Sequence, residues 1–254
     1  MSEKIRLDRL LVEKNLASSR EKAQALIIAG DVLVNEQKIQ KPGTPVQADC
    51  ALRLLRAPCP YVSRGGWKLA GALDYFGVDP RGLQALDVGA STGGFTDCLL
   101  QRGARQVIAL DVGHNQLDWK IRSDQRVIVL EKTNFRYMTG EQLAAAARLP
   151  PPELALQLAV ADVSFISLEK IFPPLYAVLE KGAQVVALVK PQFEAARAEV
   201  GKGGIIKDPE IHAKVQHKVE SYALNSQFKV LGRTVSPLLG ADGNKEFFIY
   251  LEKP

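Results

Sequence analysis

The stretch QALDVGASTGGFTD, residues 84–97, decides the fold. Residues 84–88 form the short apolar run typical of a buried strand, and the glycines that follow predict a tight turn. From Phe95 onward, apolar residues recur at helical spacing. Because a strand, a glycine turn and a helix open a nucleotide-binding α/β sheet, we expect a sheet of the Rossmann type.

The spacing within this glycine loop indicates the kind of cofactor. The loop has the form G-x-x-x-G, and an aspartate stands two positions before its first glycine. It differs from the G-x-G-x-x-G loop, which places a pyrophosphate at a helix N-terminus. A methionine-sulfonium cofactor has no phosphate, and its amino-acid end is cationic, which suits a nearby carboxylate. We therefore predict S-adenosylmethionine, held by Asp87, Gly89, Ser91, Thr92, Gly93, Gly94 and Phe95.

Polar residues at the ends of the next two predicted strands extend this cofactor site. Asp111 closes the run 107–111, where a carboxylate can accept both ribose hydroxyls of a nucleoside cofactor. The alternative for Asp111 is a helix N-cap. Asn134 follows the run 127–130 and is a candidate to bind an adenine edge.

Two later apolar runs end in charged residues. Asp162 ends the run 159–162, and Lys190 ends the run 185–190. Both side chains are expected at the carboxyl edge of the sheet, where ligands of α/β proteins bind. A lysine there is costly unless it is paired, and Asp162 on the adjacent strand is its natural partner. The pair is either purely structural or part of an active site, in which Asp162 would also contact the cofactor.

Two further charged residues accompany this pair. Lys68 lies in a helix predicted over residues 63–73, and Glu246 lies at the mouth of the last apolar run, 247–251. Taken alone, each is an ordinary surface charge.

The first sixty residues predict a small α+β domain. Ile5 and the apolar residues after it recur at helical spacing, and a second helix should run from a capping box of Ser18 and Glu21 to Gly30. A hairpin turning at residues 35–36 and an extended run within 46–55 follow. Because prolines interrupt residues 56–60, we predict a domain at 1–57, a linker at 58–62 and a second domain at 63–254.

The basic residues of the first domain form either a solvated surface or a binding face. The string from Arg6 to Val46 resembles the S-four (S4) RNA-binding domain, which also precedes pseudouridine synthases and a tyrosyl-tRNA synthetase. In that family, the basic face of two helices grips the phosphates of structured RNA. This resemblance implies salt-dependent RNA binding by Arg6, Arg9, Ser19, Arg20, Lys22 and Lys38.

Composition excludes several other classes of protein. The chain has 254 residues, 46% of them hydrophobic, and a net charge of +5 that permits a polyanionic partner without requiring one. Its three cysteines and three histidines show no metal-ligand spacing, so we expect no metal. The N-terminus lacks the apolar core of a signal peptide, and no run has the length of a membrane span. We expect a cytoplasmic protein.

Together, Lys68, Asp162, Lys190 and Glu246 resemble the K-D-K-E tetrad of the FtsJ-type 2′-O-ribose methyltransferases. The strings YVSRGGWKL, LDVGASTGGFTD, ADVSFISL, LVKPQFE and GKGGIIKDP resemble more narrowly the TlyA family, which joins that domain to an S4 domain. The resemblance covers roughly residues 5–251. It implies an α/β Rossmann-like methyltransferase sheet, mostly parallel with an antiparallel last strand, preceded by a small α+β S4 domain.

The resemblance also implies the reaction, which is methyl transfer to a ribose 2′-hydroxyl of ribosomal RNA at cytidine, on free RNA or a ribosomal subunit. Lys190 would act as the base or, if it stays charged, stabilise the developing alkoxide. Asp162 and Glu246 would orient the two lysines, and Lys68 would position the nucleotide. The segment 191–207 would be a surface loop or a lid.

Two other functions remain as alternatives. Members of the TlyA family have also been described as haemolysins, although no membrane-seeking segment stands out in the sequence. A base methyltransferase is the nearest enzymatic alternative. The N-P-P-Y-type strand end used for exocyclic amines is replaced here by Asp162-Val-Ser-Phe165.

Overall fold

A computed structural model describes residues 4–17, 19–55, 59–150, 153–240 and 243–254. The chain forms two compact units, Met1–Pro60 and Tyr61–Pro254. Residues 56–58, within the predicted boundary segment, and Ser18 of the predicted capping box lie outside the described residues. None of the helices in the described ranges combines the length and apolar character that crossing a membrane requires.

The first unit combines two helices with two small antiparallel sheets. Its elements are β1 Lys4–Arg6, α1 Leu7–Glu13, α2 Arg20–Ala29, β2 Val32–Val34, β3 Gln37–Lys38, β4 Pro45–Gln47 and β5 Leu52–Leu54. One sheet pairs β1 with β4, and the other has the order β3-β2-β5. The extended run within 46–55 is therefore divided between two sheets.

The two helices of this unit begin differently from the sequence prediction. Ile5 was expected in the first helix but lies in β1, because its backbone pairs with Val46 and the helix begins only at Leu7. The N-cap of α2 is Ser19, whose hydroxyl accepts from the Lys22 amide at 3.3 Å. The predicted stop is confirmed, since Gly30 caps α2 in the left-handed region at φ 73°.

A buried carboxylate connects the two helices. Asp8, at 0% exposure, lies in the first turn of α1. Its carboxylate accepts from Arg6 at 2.8 and 3.0 Å, from Arg20 at 3.1 Å and from Gln24 at 2.9 Å. The hydrogen bond from Arg6 is the main reason that the pKa of Asp8 is held well below its usual range. These contacts fix both arginines on one side of the helix pair.

The second unit is an α/β sandwich around one seven-stranded sheet. Its strands are β6 Gln84–Val88, β7 Gln106–Leu110, β8 Val127–Leu130, β9 Leu156–Ala161, β10 Gln184–Val189, β11 Lys229–Val235 and β12 Phe247–Glu252. Its helices are α3 Gly65–Phe76, α4 Gly94–Gln101, α5 Trp119–Arg122, α6 Gly140–Ala147, α7 Phe172–Val178, α8 Pro191–Glu194 and α9 Pro209–Asn225.

The strand order is β11-β12-β10-β9-β6-β7-β8. The five strands β10, β9, β6, β7 and β8 run parallel to one another. Strand β12 is antiparallel to both β10 and β11. The prediction of a mostly parallel sheet with an antiparallel last strand is confirmed. No element was predicted for 209–235, which form α9 and the edge strand β11.

Helices cover both faces of this sheet. Alternate strand residues enter separate cores, so that Leu86 and Val88 pack on the side of α6, α7 and α9, whereas Ala85 packs on the side of α3 and α4. The chain moves outward from β6 to β8 and then returns to β9 on the other side of β6. In open α/β sheets, ligands bind at the carboxyl edge beside such a reversal, here between β6 and β9.

We predict that Asp8→Asn destabilises the first unit by about 1 kcal/mol at pH 7, because it weakens charge-assisted bonds to half-exposed arginines. Folding lowers the pKa of Asp8, so its charged carboxylate contributes its full stabilisation above the unfolded-state pKa of about 4. This stabilisation is lost as the pH falls from there through the folded-state pKa. The difference between the variant and the parent should shrink below that pH.

The measurement is hydrogen exchange in α1 and α2, because both tryptophans, Trp67 and Trp119, lie in the second unit. Glu13→Gln, an exposed carboxylate on the same helix, is the control. Equal exchange in both variants would contradict the prediction.

Candidate active site

The glycine loop after β6 passes very close to the end of β9. Gly89 has φ +86°, and a Cβ there would lie 2.5 Å from the Asp162 carbonyl oxygen. The backbone is also tied across the gap, since the Asp162 amide donates to the Val88 carbonyl at 2.9 Å. Only glycine satisfies both the positive φ and this approach, so the loop packs directly against the backbone of Asp162.

A cavity of about 170 Å³ opens beside this loop. Its walls come from the start of α3, the glycine loop, the start of α4 and the end of β9. The lining residues are Ser63, Arg64, Gly65, Lys68, Gly89, Ala90, Ser91, Thr92, Gly94, Phe95, Asp162 and Leu239. It therefore contains most of the predicted cofactor residues and two of the four charged residues.

Asp87 lies behind this wall. It is fully buried, and one carboxylate oxygen accepts from the Thr96 hydroxyl at 2.6 Å. The other oxygen is buried and has no hydrogen-bond partner among the described residues. The pKa of Asp87 is raised to about 7, chiefly by burial and also by the neighbouring Asp162 and Asp111 carboxylates. The predicted contact of Asp87 with a cofactor stays a prediction.

Asp111 and Asn134 both bind backbone amides. The two Asp111 oxygens accept from the Ser91 amide at 2.8 Å and from the Gly113 amide at 2.7 Å. Asp111 thus braces the glycine loop, a role that neither alternative for this residue included. The Asn134 side-chain oxygen accepts from the Arg136 amide at 3.0 Å and caps a short 3₁₀ turn. Their contacts with ribose and adenine stay predictions.

The four charged residues form two separate ion pairs. Lys68 and Glu246, exposed by 8% and 3%, meet at 2.5 Å. Lys190 and Asp162 meet at 2.6 Å, as their strand-end positions predict. Each pair places one member, Lys68 or Asp162, on the cavity wall. Each lysine has its own carboxylate.

Lys190 has a second acceptor in the loop after β9. Its ammonium donates to the Ser164 hydroxyl at 2.9 Å. A lysine carries three N–H groups; within the described ranges the Ser164 hydroxyl accepts one of them, and Asp162 lies close enough to form an ion pair. One N–H direction therefore remains for an oxygen in the cleft.

No role was predicted for Phe165, which lies in the loop after β9. Phe165 is 91% exposed, although the residue before it, Ser164, contacts Lys190. Its φ of +62° is rare for a bulky residue. The ring packs on Phe193, with the centroids 5.0 Å apart. A large aromatic ring is thus held in solvent beside the Asp162–Lys190 pair.

The basic residues predicted to bind RNA all lie in the first unit. Asp8 brings Arg6 and Arg20 together, and Arg9 and Lys22 are exposed on α1 and α2. Lys38 lies over the end of α2, since a Cβ on Gly30 would be 2.2 Å from its Cε. Ser19 is occupied as the N-cap, and its contact with RNA stays a prediction.

The segment 191–207 is more ordered than predicted. It begins with α8, and two 3₁₀ turns follow, at Arg197–Glu199 and Lys202–Gly204. The Asn244 side chain accepts from the Ile206 amide and donates to the Gly204 carbonyl, both at 2.9 Å. Asn244 therefore fastens the C-terminal end of this segment to the rest of the second unit.

Comparison with known proteins identifies both units. A family model described as FtsJ-like methyltransferase matches residues 61–253, and one described as S4 domain matches residues 5–49. "Putative rRNA methyltransferase YqxC" of Bacillus subtilis is 48% identical over 253 residues, which are 100% of this chain and 87% of that protein.

Two further relatives also match along their length. "16S/23S rRNA (cytidine-2'-O)-methyltransferase TlyA" of Mycobacterium tuberculosis is 42% identical over 252 residues, 99% of this chain and 91% of that protein. The solved structure "Putative hemolysin from Streptococcus thermophilus" has a TM-score of 0.76 and 43% identity, covering 100% of this chain and 90% of that one.

The close approach at Gly89 makes this position sensitive to an added methyl group. Gly89→Ala should weaken S-adenosylmethionine binding at least about tenfold, because the new methyl group displaces either the loop or the Asp162 carbonyl. Isothermal titration calorimetry measures the affinity.

Gly82→Ala is the matched control. Gly82 also has a positive φ, +75°, but a Cβ there meets nothing within 4 Å. Both variants should lose about 1–2 kcal/mol of stability from left-handed strain, and only Gly89→Ala should lose affinity. Equal affinities would show that the close approach is unimportant.

Proposed function

The chain belongs to the FtsJ-like methyltransferase family and, within it, to the TlyA family, and we propose that it methylates a cytidine ribose 2′-hydroxyl in ribosomal RNA with S-adenosylmethionine. The observation that carries the proposal is the placement of the two ion pairs, Lys68–Glu246 and Lys190–Asp162, at one cavity beside the glycine loop. Such a set of charges suits a reaction in which an alcohol oxygen must become a nucleophile.

The cavity fits this cofactor. Three carboxylates, those of Asp87, Asp111 and Asp162, lie near enough to influence one another, and Asp87 has an unpartnered buried oxygen. This negative environment suits a cofactor with a sulfonium and an ammonium group better than one with phosphates. Gly89 and Gly94 allow close packing at the cavity wall, since a Cβ would lie 2.5 Å from the Asp162 carbonyl oxygen at Gly89 and 2.2 Å from the Ser63 hydroxyl at Gly94. When bound, S-adenosylmethionine supplies an electrophilic methyl group.

Lys190 acts on the attacking oxygen. A ribose hydroxyl is a poor nucleophile near neutral pH, so it must be held in position and its developing negative charge stabilised. The Lys190 amino group donates to Ser164 and lies 2.6 Å from Asp162, so both neighbours face it as acceptors, and a further N–H can point to the ribose oxygen. We therefore assign Lys190 the stabilising role rather than that of the base. Asp162 holds Lys190 and contributes to the cavity wall.

Lys68 and Glu246 perform a positioning role at another part of the cavity wall. Lys68 lines the cavity from α3, and Glu246 holds it from the start of β12. The Glu246 carboxylate is itself confined, because a Cβ on Gly240 would lie 2.5 Å from its Oε1. A lysine fixed in this way can contact the nucleotide without moving into the space of the methyl group.

RNA binding draws on both units. The arginines that Asp8 holds in the first unit present charge suited to phosphates. In the second unit, the exposed ring of Phe165 suits stacking on an unpaired base, which is how proteins commonly hold single-stranded nucleotides. Cytidine as the target rests on the name of the mycobacterial relative.

The function is tested by mapping 2′-O-methyl groups in ribosomal RNA from cells with and without this protein. We expect at least one cytidine to lose its ribose methylation in its absence and to regain it with the purified protein and S-adenosylmethionine. If every ribose methyl group persists, the proposal is wrong.

Lys190→Ala should lower the methyl-transfer rate by about 10²-fold or more, because it removes a donor to the developing alkoxide. S-adenosylmethionine affinity and RNA affinity should change little. Transfer of tritiated methyl groups to ribosomal subunits that lack the modification measures the rate.

Lys190→Arg is the control for charge, since arginine stays protonated and cannot serve as a base. It should retain more activity than Lys190→Ala. If both variants are equally inactive, Lys190 acts as the base instead. If Lys190→Ala is fully active, the assignment of Lys190 fails altogether.

Phe165→Ala should reduce kcat/KM for RNA about tenfold through the loss of a stacking surface, with S-adenosylmethionine affinity unchanged. Phe165→Trp should preserve activity. Tyr75→Ala, which removes a 67% exposed aromatic ring at the far end of α3, is the control. An equal effect of both alanine variants would contradict a specific role for Phe165.

A further inference from the structure

Glu194, at the end of α8, is a buried carboxylate that the proposed reaction does not use. It is 3% exposed. One oxygen accepts from the Ser167 hydroxyl at 2.6 Å, and the other accepts from the Leu168 amide at 2.8 Å. Burial raises the pKa of Glu194, which means that the charged carboxylate is disfavoured at this place. Its hydrogen bonds must therefore contribute something that an apolar side chain could not.

These bonds join the two loops that bear one of the ion pairs. Ser167 and Leu168 belong to the loop that follows β9 and begins at Asp162, whereas Glu194 belongs to the segment that follows β10 and begins at Lys190. Backbone pairing between β9 and β10 ends at Ala161 and Ala187. Beyond that point, the side chain of Glu194 adds hydrogen bonds between the two chain segments, which Lys190 also joins through Asp162 and Ser164.

The glutamate is itself anchored from a third element. Lys218 on α9 donates to the Glu194 carbonyl oxygen at 2.7 Å. The helix thereby holds the backbone of Glu194 while the carboxylate holds the loop after β9. Phe165 against Phe193, with ring centroids 5.0 Å apart, is another contact between the same two loops.

Two features of the loop after β9 need such a connection. Ser164 must stay in place to accept from Lys190. Phe165 is exposed and has a positive φ, a conformation that costs free energy and persists only where the surroundings enforce it. Glu194 bonds the chain two and three residues after Phe165, which is close enough to enforce both.

We propose that Glu194 is a positioning residue whose carboxylate clamps the loop 162–168 to the segment 190–194, and so keeps Ser164 on Lys190 and Phe165 exposed beside it. This inference rests on the proposed function of Lys190. Glu194 touches neither the cavity wall nor the reacting atoms, so its effect is on rate and geometry rather than on cofactor affinity.

The test compares Glu194→Ala with Glu194→Gln in the full-length protein. Alanine removes both bonds and leaves the Leu168 amide without an acceptor, whereas glutamine retains an oxygen for Leu168 and an amide group for Ser167. For Glu194→Ala, we expect faster hydrogen exchange in peptides covering 163–168. We also expect kcat to fall about tenfold or more on ribosomal subunits, and S-adenosylmethionine affinity to change less than about twofold.

Glu194→Gln should restore both exchange protection and kcat to near the parent values. Glu199→Ala is the matched control, because Glu199 lies on the same segment but bonds Ala196 and Lys214 instead. It should leave exchange in 163–168 and kcat unchanged. If Glu194→Ala does not fold, Ser167→Ala removes half of the clamp and should show the same two effects at smaller size.

Several results would overturn the inference. Normal kcat in Glu194→Ala despite faster exchange would make the clamp purely structural, and normal exchange would show that no clamp exists. A folded Glu194→Gln as impaired as Glu194→Ala would exclude clamping by hydrogen bonds. Lys190→Ala, measured in parallel, separates the two proposals. If it is inactive while Glu194→Ala is fully active, only this inference fails, and if Lys190→Ala is fully active, the proposed function of Lys190 fails.

Discussion

The candidate active site depends on the pairing of charged side chains that the fold buries fully or in part. A buried lysine or glutamate is unfavourable alone, and removing one partner leaves the other uncompensated. Two ion pairs at the carboxyl edge of the sheet satisfy this constraint, Lys68–Glu246 and Lys190–Asp162. Because each pair joins separate elements, the elements must hold their relative positions for the charges to be tolerated.

The same constraint operates in the first unit with a different result. Asp8 is buried and draws two half-exposed arginines and a glutamine toward itself. There the buried carboxylate orders cations that still face solvent, which suits contact with a polyanion. In the second unit, one member of each charge pair lines a small cavity instead, which suits chemistry on a bound group. The difference lies in the exposure of the cation.

Some parts of the site were predictable from sequence because they depend on local spacing. The glycine loop, the strands ending near Asp162 and Lys190, and the contact between those two residues all followed from apolar runs and their end points. Other parts depend on partners distant in the chain. Ile5 pairs with Val46 and so leaves the predicted helix, and Asp111 bonds backbone amides that periodicity cannot identify.

What the sequence by itself determined was the class of fold, the glycine loop and the identity of the four charged residues, since each follows from periodicity, spacing or a motif. The division of those four into two ion pairs was decided only by the tertiary structure, as were the clamp formed by Glu194 and the exposure of Phe165. The physical reason is that burial and hydrogen bonding between strand ends depend on which strands are neighbours. That order, with β9 beside β6 and β12 between β10 and β11, is a property of the folded sheet rather than of any local segment.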